Sequence, residues 1–216
     1  MTNLEHQGFL AAPSFGKGRG VLVLHPWWGL NDTIRMVCTQ LSEAGFIAFA
    51  PDLYHGKIAT TIEEAESLMR ALDPMEAKTQ IASAVEFLSE RAGQEDPELG
   101  VIGFSLGASY ALDLSVEDPE HIGAVVAFYG TSAGDFSTSK ADYLGHFAEE
   151  DEFEPASEVN TLEASLRAAG RPVTFYRYPG TGHWFFEPER TEAYNQTAAT
   201  LAWKRTLTFL RNTLLL

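Results

Sequence analysis

The sequence has a single cysteine, few basic residues and no long apolar run, and each shortage narrows the reading. One cysteine excludes a disulfide framework and a paired-cysteine metal site; Cys38 falls inside a helical pattern, Thr33 to Ala44, and reads as a packing residue. Lys and Arg number 15 against 30 Asp and Glu, a formal net charge of -15. Nucleic acid and anionic membranes reward clustered cations, so neither is expected as a partner. No run of 18 apolar residues and no apolar N-terminal signal occurs, which predicts a soluble, cytoplasmic chain. Asn31-Asp-Thr and Asn195-Gln-Thr then carry no meaning for glycosylation. With no linker or internal repeat, 216 residues at 45% hydrophobic content predict one domain spanning 1–216.

What is present is alternation. Gly20 to Leu24, Phe46 to Ala50, Leu99 to Ile102, Ala124 to Tyr129, Tyr143 to Phe147 and Val173 to Tyr178 read as short buried strands, with Gln7 to Ala12 as an edge strand. Helical patterns fall between them. One is capped by Asn31 or Asp32 and ends at Gly45; others cover Ile62 to Leu72, Met75 to Ala92, the stretch after Ser105, Ser157 to Ala169, and about Glu189 to Asn212. This order predicts an α/β fold, a mostly parallel central sheet with helices on both faces. Sites in such sheets lie past the carboxyl ends of the strands, which here are followed by His25 to Gly29, Ser105, Glu149 to Glu154 and Gly180 to Trp184.

Gly103-Phe-Ser105-Leu-Gly107 sits where a strand passes directly into a helix, the context of a nucleophile elbow. The glycines suit a turn tight enough to crowd neighbouring backbone against the serine. A second match, Gly130-Thr-Ser132-Ala-Gly134, is followed by Asp135-Phe-Ser-Thr-Ser139, a loop composition; Ser132 therefore reads as a loop serine. A serine hydroxyl needs a base, most often a histidine oriented by a carboxylate. Among six histidines, His183 stands in a glycine-rich loop after a strand. His6 and His121 read as surface residues, and His55 and His146 as pocket or packing residues. The acid should fall between Ser105 and His183 in chain order; Asp151 is preferred, with Glu149 and Glu150 as alternatives in the same acidic loop.

Val-Leu-His-Pro-Trp-Trp-Gly-Leu-Asn31, Ala-Pro-Asp-Leu-Tyr54, Gly-Phe-Ser-Leu-Gly107, Phe-Tyr-Gly130, Asp-Glu-Phe-Glu-Pro155, Gly-His-Trp-Phe185 and Ala-Trp-Lys-Arg-Thr-Leu-Thr-Phe-Leu210 together resemble the dienelactone hydrolase family over nearly the whole chain. The resemblance implies an α/β-hydrolase fold without a large cap domain, and a serine hydrolase cleaving small esters or lactones with no cofactor or metal. It also implies a Ser105, Asp151, His183 triad and an oxyanion hole from the backbone N–H groups of Trp27 and Leu106. The contrasting class is a non-catalytic small-molecule binding or scaffold protein on the same fold. Trp27, Trp28, Tyr54, Trp184 and Phe185 are each common core residues, but grouped beside the triad, with His25, they suggest an aromatic-lined substrate pocket.

The chain departs from the family in a coherent way. Well-studied members carry cysteine at the elbow and glutamate where this chain has Pro26; serine needs no carboxylate to manage its ionisation. Pro26 has no N–H, which leaves Trp27 as the donor. The arginines that hold a substrate carboxylate in the family fall near Gly56 and Glu187, with only Lys57 adjacent. Their absence predicts a preference for neutral esters or lactones.

Overall fold

The computed structural model describes residues 7–92 and 98–214, so His6 lies outside the described residues. Its strands are β1 (Gly8–Ala11), β2 (Gly20–Leu24), β3 (Ile47–Pro51), β4 (Leu99–Phe104), β5 (Ile122–Phe128), β6 (Asp142–Ala148) and β7 (Val173–Tyr178). They form one sheet in the order β1-β3-β2-β4-β5-β6-β7, parallel throughout except for the antiparallel edge pair β1 and β3. The helices are α1 (Asp32–Glu43), α2 (Ile62–Ala71), α3 (Pro74–Ala92), α4 (Leu106–Glu117), α5 (Ala156–Ala168) and α6 (Gln196–Leu214).

The pleat divides the apolar strands between two cores. Val21 and Val23 of β2, Ile102 and Phe104 of β4, and Val126 and Phe128 of β5 face one side with α1 and α6. Leu22, Leu24, Leu99, Val101 and Val125 face the other, with α3, α4 and α5. Strands buried on both faces are the reason these runs show apolar continuity rather than alternation. Cys38 lies in the first core, fully buried, as a packing residue. Among the described residues no helix is long and apolar enough to cross a membrane.

The last helix begins at Gln196 rather than Glu189. Its start is set by Asn195, whose Oδ1 accepts from Ala198 N at 3.0 Å, the geometry of an N-cap. The preceding residues are drawn off by other partners: Glu187 by Tyr129, Glu189 by Thr33 and Arg190 by Thr60. Helical periodicity alone does not detect such tertiary competition.

His146 is a packing residue. It is fully buried in β6, its Nδ1 2.8 Å from the Tyr178 hydroxyl and its Nε2 3.0 Å from Thr206 Oγ1. Burial, and secondarily Arg205, push its pKa down to about 3. The unfolded chain therefore takes up a proton near pH 6.5 that the folded protein refuses, so stability is full above that pH and falls as pH drops toward 3. In thermal melts from pH 7 to pH 4, His146→Gln is expected to lose less Tm than the wild type. Equal acid sensitivity in the two proteins would remove His146 as the cause.

Candidate active site

Ser105 occupies the one-residue corner between β4 and α4 with φ 49° and ψ -114°. A non-glycine residue there costs about 1–3 kcal/mol, tolerated where the surroundings over-determine the conformation. They do so here. A Cβ at Gly103 would run into the Gly107 carbonyl, and one at Gly107 would meet the carbonyls of Leu24 and His25, so the corner seats directly on the neighbouring strand's backbone. Ser105 N donates to Phe128 O at 2.9 Å and Ser105 O accepts from Ala108 N at 2.8 Å, fixing both sides of the turn. Ser132 stands apart, its hydroxyl donating to Asp113.

Two loops bring the other polar groups to this corner. Ser105 Oγ lies 3.0 Å from His183 Nε2, and His183 Nδ1 lies 2.9 and 2.8 Å from the Asp151 oxygens. The Asp151 Oδ1 also accepts from the amides of Phe153 and Glu154, both at 2.9 Å, so one carboxylate orders its own loop as well as the imidazole. The acid and histidine loops are tied by backbone: Glu150 N donates to Thr181 O and Glu149 N to Tyr178 O. Glu149 spends its carboxylate on Gly180 N, and Glu150 lies at the cavity mouth. Glu154, which reads from sequence as solvated, is half-buried and accepts from Thr131 Oγ1.

Trp27 follows a loop held rigid from below. His25, fully buried, places Nδ1 2.7 Å from Pro26 O and accepts from Leu53 N at Nε2; Gly29 N also donates to Pro26 O. Burial lowers the imidazole's pKa and keeps it neutral, as an accepting Nε2 requires. The amides of Trp27 and Leu106 have no acceptor among the described residues.

The aromatic residues divide. Trp28 and Trp184 line a cavity of about 960 Å³ beside His183, together with Phe153, Ile62 and Arg190. His25, Tyr54 and Phe185 are turned inward instead: His25 and Tyr54 pack on each other at 5.0 Å, and Phe185 belongs to the core under α6. Three contributors escape the sequence reading. Phe153, half exposed, covers the imidazole at 5.0 Å and touches Trp27 and Trp184; Tyr129 contacts the imidazole at 4.9 Å and is itself fully buried. Arg190 stacks 3.6 Å above Trp28 while Nη1 donates to Thr60 O. It was hidden within an apparent helix. Arg190 thus brings a guanidinium to the cavity wall that the sequence reading does not anticipate, while position 56 is an exposed glycine and Glu187 is fully buried.

A parallel sheet carrying a strained serine corner, with a histidine and a carboxylate arriving on later loops, defines the α/β-hydrolase class. The Dienelactone hydrolase family profile matches residues 6–214, and the chain belongs to that family, as a hydrolase acting on ester bonds. Protein usf of Aquifex pyrophilus is 32% identical, over 95% of this chain and 92% of that one. The fold is shared with a dienelactone hydrolase-like promiscuous phosphotriesterase from metagenomic libraries (TM-score 0.85, 19% identity, 95% and 92% of the chains). It is also shared with the dienelactone hydrolase of Anabaena variabilis (TM-score 0.70, 22% identity, 96% and 91%).

Glu187, buried beside the site, is electrostatically perturbed. Burial pushes its carboxyl up to about 8, opposed by the hydrogen bond from Tyr129 and by Arg190. Between pH 4.5 and 8 the folded protein keeps a proton that the unfolded chain releases, so this group makes stability fall as pH rises through that window. Glu187→Gln, which cannot titrate, is expected to gain Tm relative to wild type at pH 8 and to show little gain at pH 5. A constant difference across that range would contradict a protonated Glu187.

Proposed function

We propose that the chain hydrolyses small carboxylic esters or lactones through a covalent acyl-enzyme, with Ser105 as nucleophile, His183 as general base and acid, and Asp151 as the orienting carboxylate. The uninterrupted hydrogen-bond chain from Ser105 Oγ through both ring nitrogens of His183 to Asp151 carries this reading. With Nδ1–H donating to Asp151, Nε2 presents a lone pair to the hydroxyl. As Oγ attacks the carbonyl carbon, its proton passes to Nε2 and the carbonyl oxygen becomes an oxyanion, held by the free amides of Trp27 and Leu106. Collapse expels the alkoxide, which takes the proton from the imidazolium; in a lactone the released alcohol stays on the acyl chain. Water then enters, gives a proton to His183, attacks the acyl carbon and frees Oγ, which recovers that proton.

Ser105→Ala and His183→Ala are each expected to lower kcat by several orders of magnitude on an aryl ester, with the double variant little worse than either. Independent, multiplicative losses would show that the two do not act as a unit. Asp151→Asn is expected to fold and to lose about 10^4-fold in kcat, because a neutral partner no longer fixes the imidazole tautomer. If Glu150→Gln were the damaging change instead, the orienting acid would be Glu150.

A further inference from the structure

Behind the imidazole, on the side away from solvent, lies a polar pair that the proposed reaction does not use. The Tyr129 hydroxyl donates to Glu187 Oε1 at 2.8 Å, and both residues are fully buried. The Tyr129 ring touches the His183 ring at 4.9 Å, while Phe153 covers His183 from the exposed side. Tyr129 also holds a positive φ of 37°, at the point where β5 ends. A non-glycine backbone there persists where its surroundings over-determine it; Tyr129 N donates to His146 O at 2.8 Å, and the side chain is held in addition. Glu187 supplies that hold at a price, since its Oε2 is buried with no hydrogen-bond partner among the described residues. An orphan oxygen in such a place destabilises, whereas a phenylalanine and an aliphatic residue could fill the same space without it.

We propose that Tyr129 and Glu187 are a positioning pair that fixes the His183 imidazole from its buried side, acting on the reaction through that ring and not by touching substrate. The proposal rests on the reading of His183 as the general base. The hydroxyl bond pins the rotation of the Tyr129 ring, and the ring in turn limits how far the imidazole can tilt out of line with Ser105 Oγ. The groups facing Glu187 are Tyr129, just past β5, and, on its own loop, Arg190 and Glu189. Near neutral pH the carboxyl is largely protonated, so it acts as a fixed hydrogen-bond partner and not as a second counter-charge for the imidazolium.

The test is a double-mutant cycle read in both kinetics and stability. Tyr129→Phe and Glu187→Met are each expected to lower kcat on a neutral aryl ester by about tenfold, the scale of a small misplacement of a reacting group. KM should change less, and the double variant should be no slower than either single. Glu187→Met strands the tyrosine hydroxyl and should lower Tm; the double variant removes both polar groups and should recover Tm without recovering kcat. Glu187→Gln retains an oxygen acceptor and is expected to rescue kcat relative to Glu187→Met. Multiplicative losses, recovery of kcat together with Tm in the double variant, or a Glu187→Gln enzyme as slow as Glu187→Met would overturn the pair. Ser105→Ala, measured alongside, separates the two levels: an active Ser105→Ala enzyme would overturn the serine mechanism itself.

Discussion

Everything at the carboxyl edge of the sheet depends on the steric fit of one corner, where β4 turns into α4 with no residue to spare. Gly103 and Gly107 let the turn rest on backbone atoms of Gly107, Leu24 and His25, which no side chain would permit. The strain at Ser105 is thereby carried by close packing of main chain in the centre of the molecule. Because β4 is flanked by β2 and β5, that packing also sets where Trp27 and Tyr129 stand relative to the serine.

The histidine arrives from the other half of the sheet, and its position is secured by several weak ties rather than one strong one. Asp151 joins the imidazole to the acid loop, and the amides of residues 149 and 150 join that loop to the histidine loop. Beyond His183, Glu187, Glu189 and Arg190 fasten the same segment to β5, to the start of α1 and to the approach of α2. Ionisable side chains there serve as anchors in a partly buried seam. Their pairing with backbone amides, hydroxyls and carbonyls lets an irregular segment keep one conformation without regular secondary structure.

Around the imidazole, apolar contact and polar restraint are divided by depth. Phe153 and the indoles of Trp27, Trp28 and Trp184 form the outer wall, with Arg190 laid over Trp28. Tyr129 and Phe185 form the inner wall, contiguous with the core under α6. Such an arrangement screens the polar chain from bulk water while leaving Ser105 partly accessible, the condition under which hydrogen-bond donors act most strongly on developing charge.

The local signals legible in the chain are those set by near neighbours. Glycine spacing around Ser105, apolar strands of four to seven residues, the Asn31 cap and the loop context of His183 each follow from short-range sterics and periodicity, and the element order follows from them. Chain order led to the acidic loop but did not separate Asp151 from Glu149 and Glu150; the backbone path does, turning Asp151 to the imidazole while Glu149 is spent on Gly180 and Glu150 lies exposed at the cavity mouth. Which aromatics line the cavity was not legible, because His25, Tyr54 and Phe185 differ from Trp28 and Trp184 in direction and not in type. Nor was the role of the segment from Glu187 to Arg190, where the helical pattern that begins at about Glu189 yields to tertiary partners 130 and 156 positions away and Glu187 is held from 58 positions away. Composition and spacing determined the fold and the candidate residues at its edge; packing between distant segments alone decided which side chains face the serine, since direction is settled by neighbours that the local sequence does not contain.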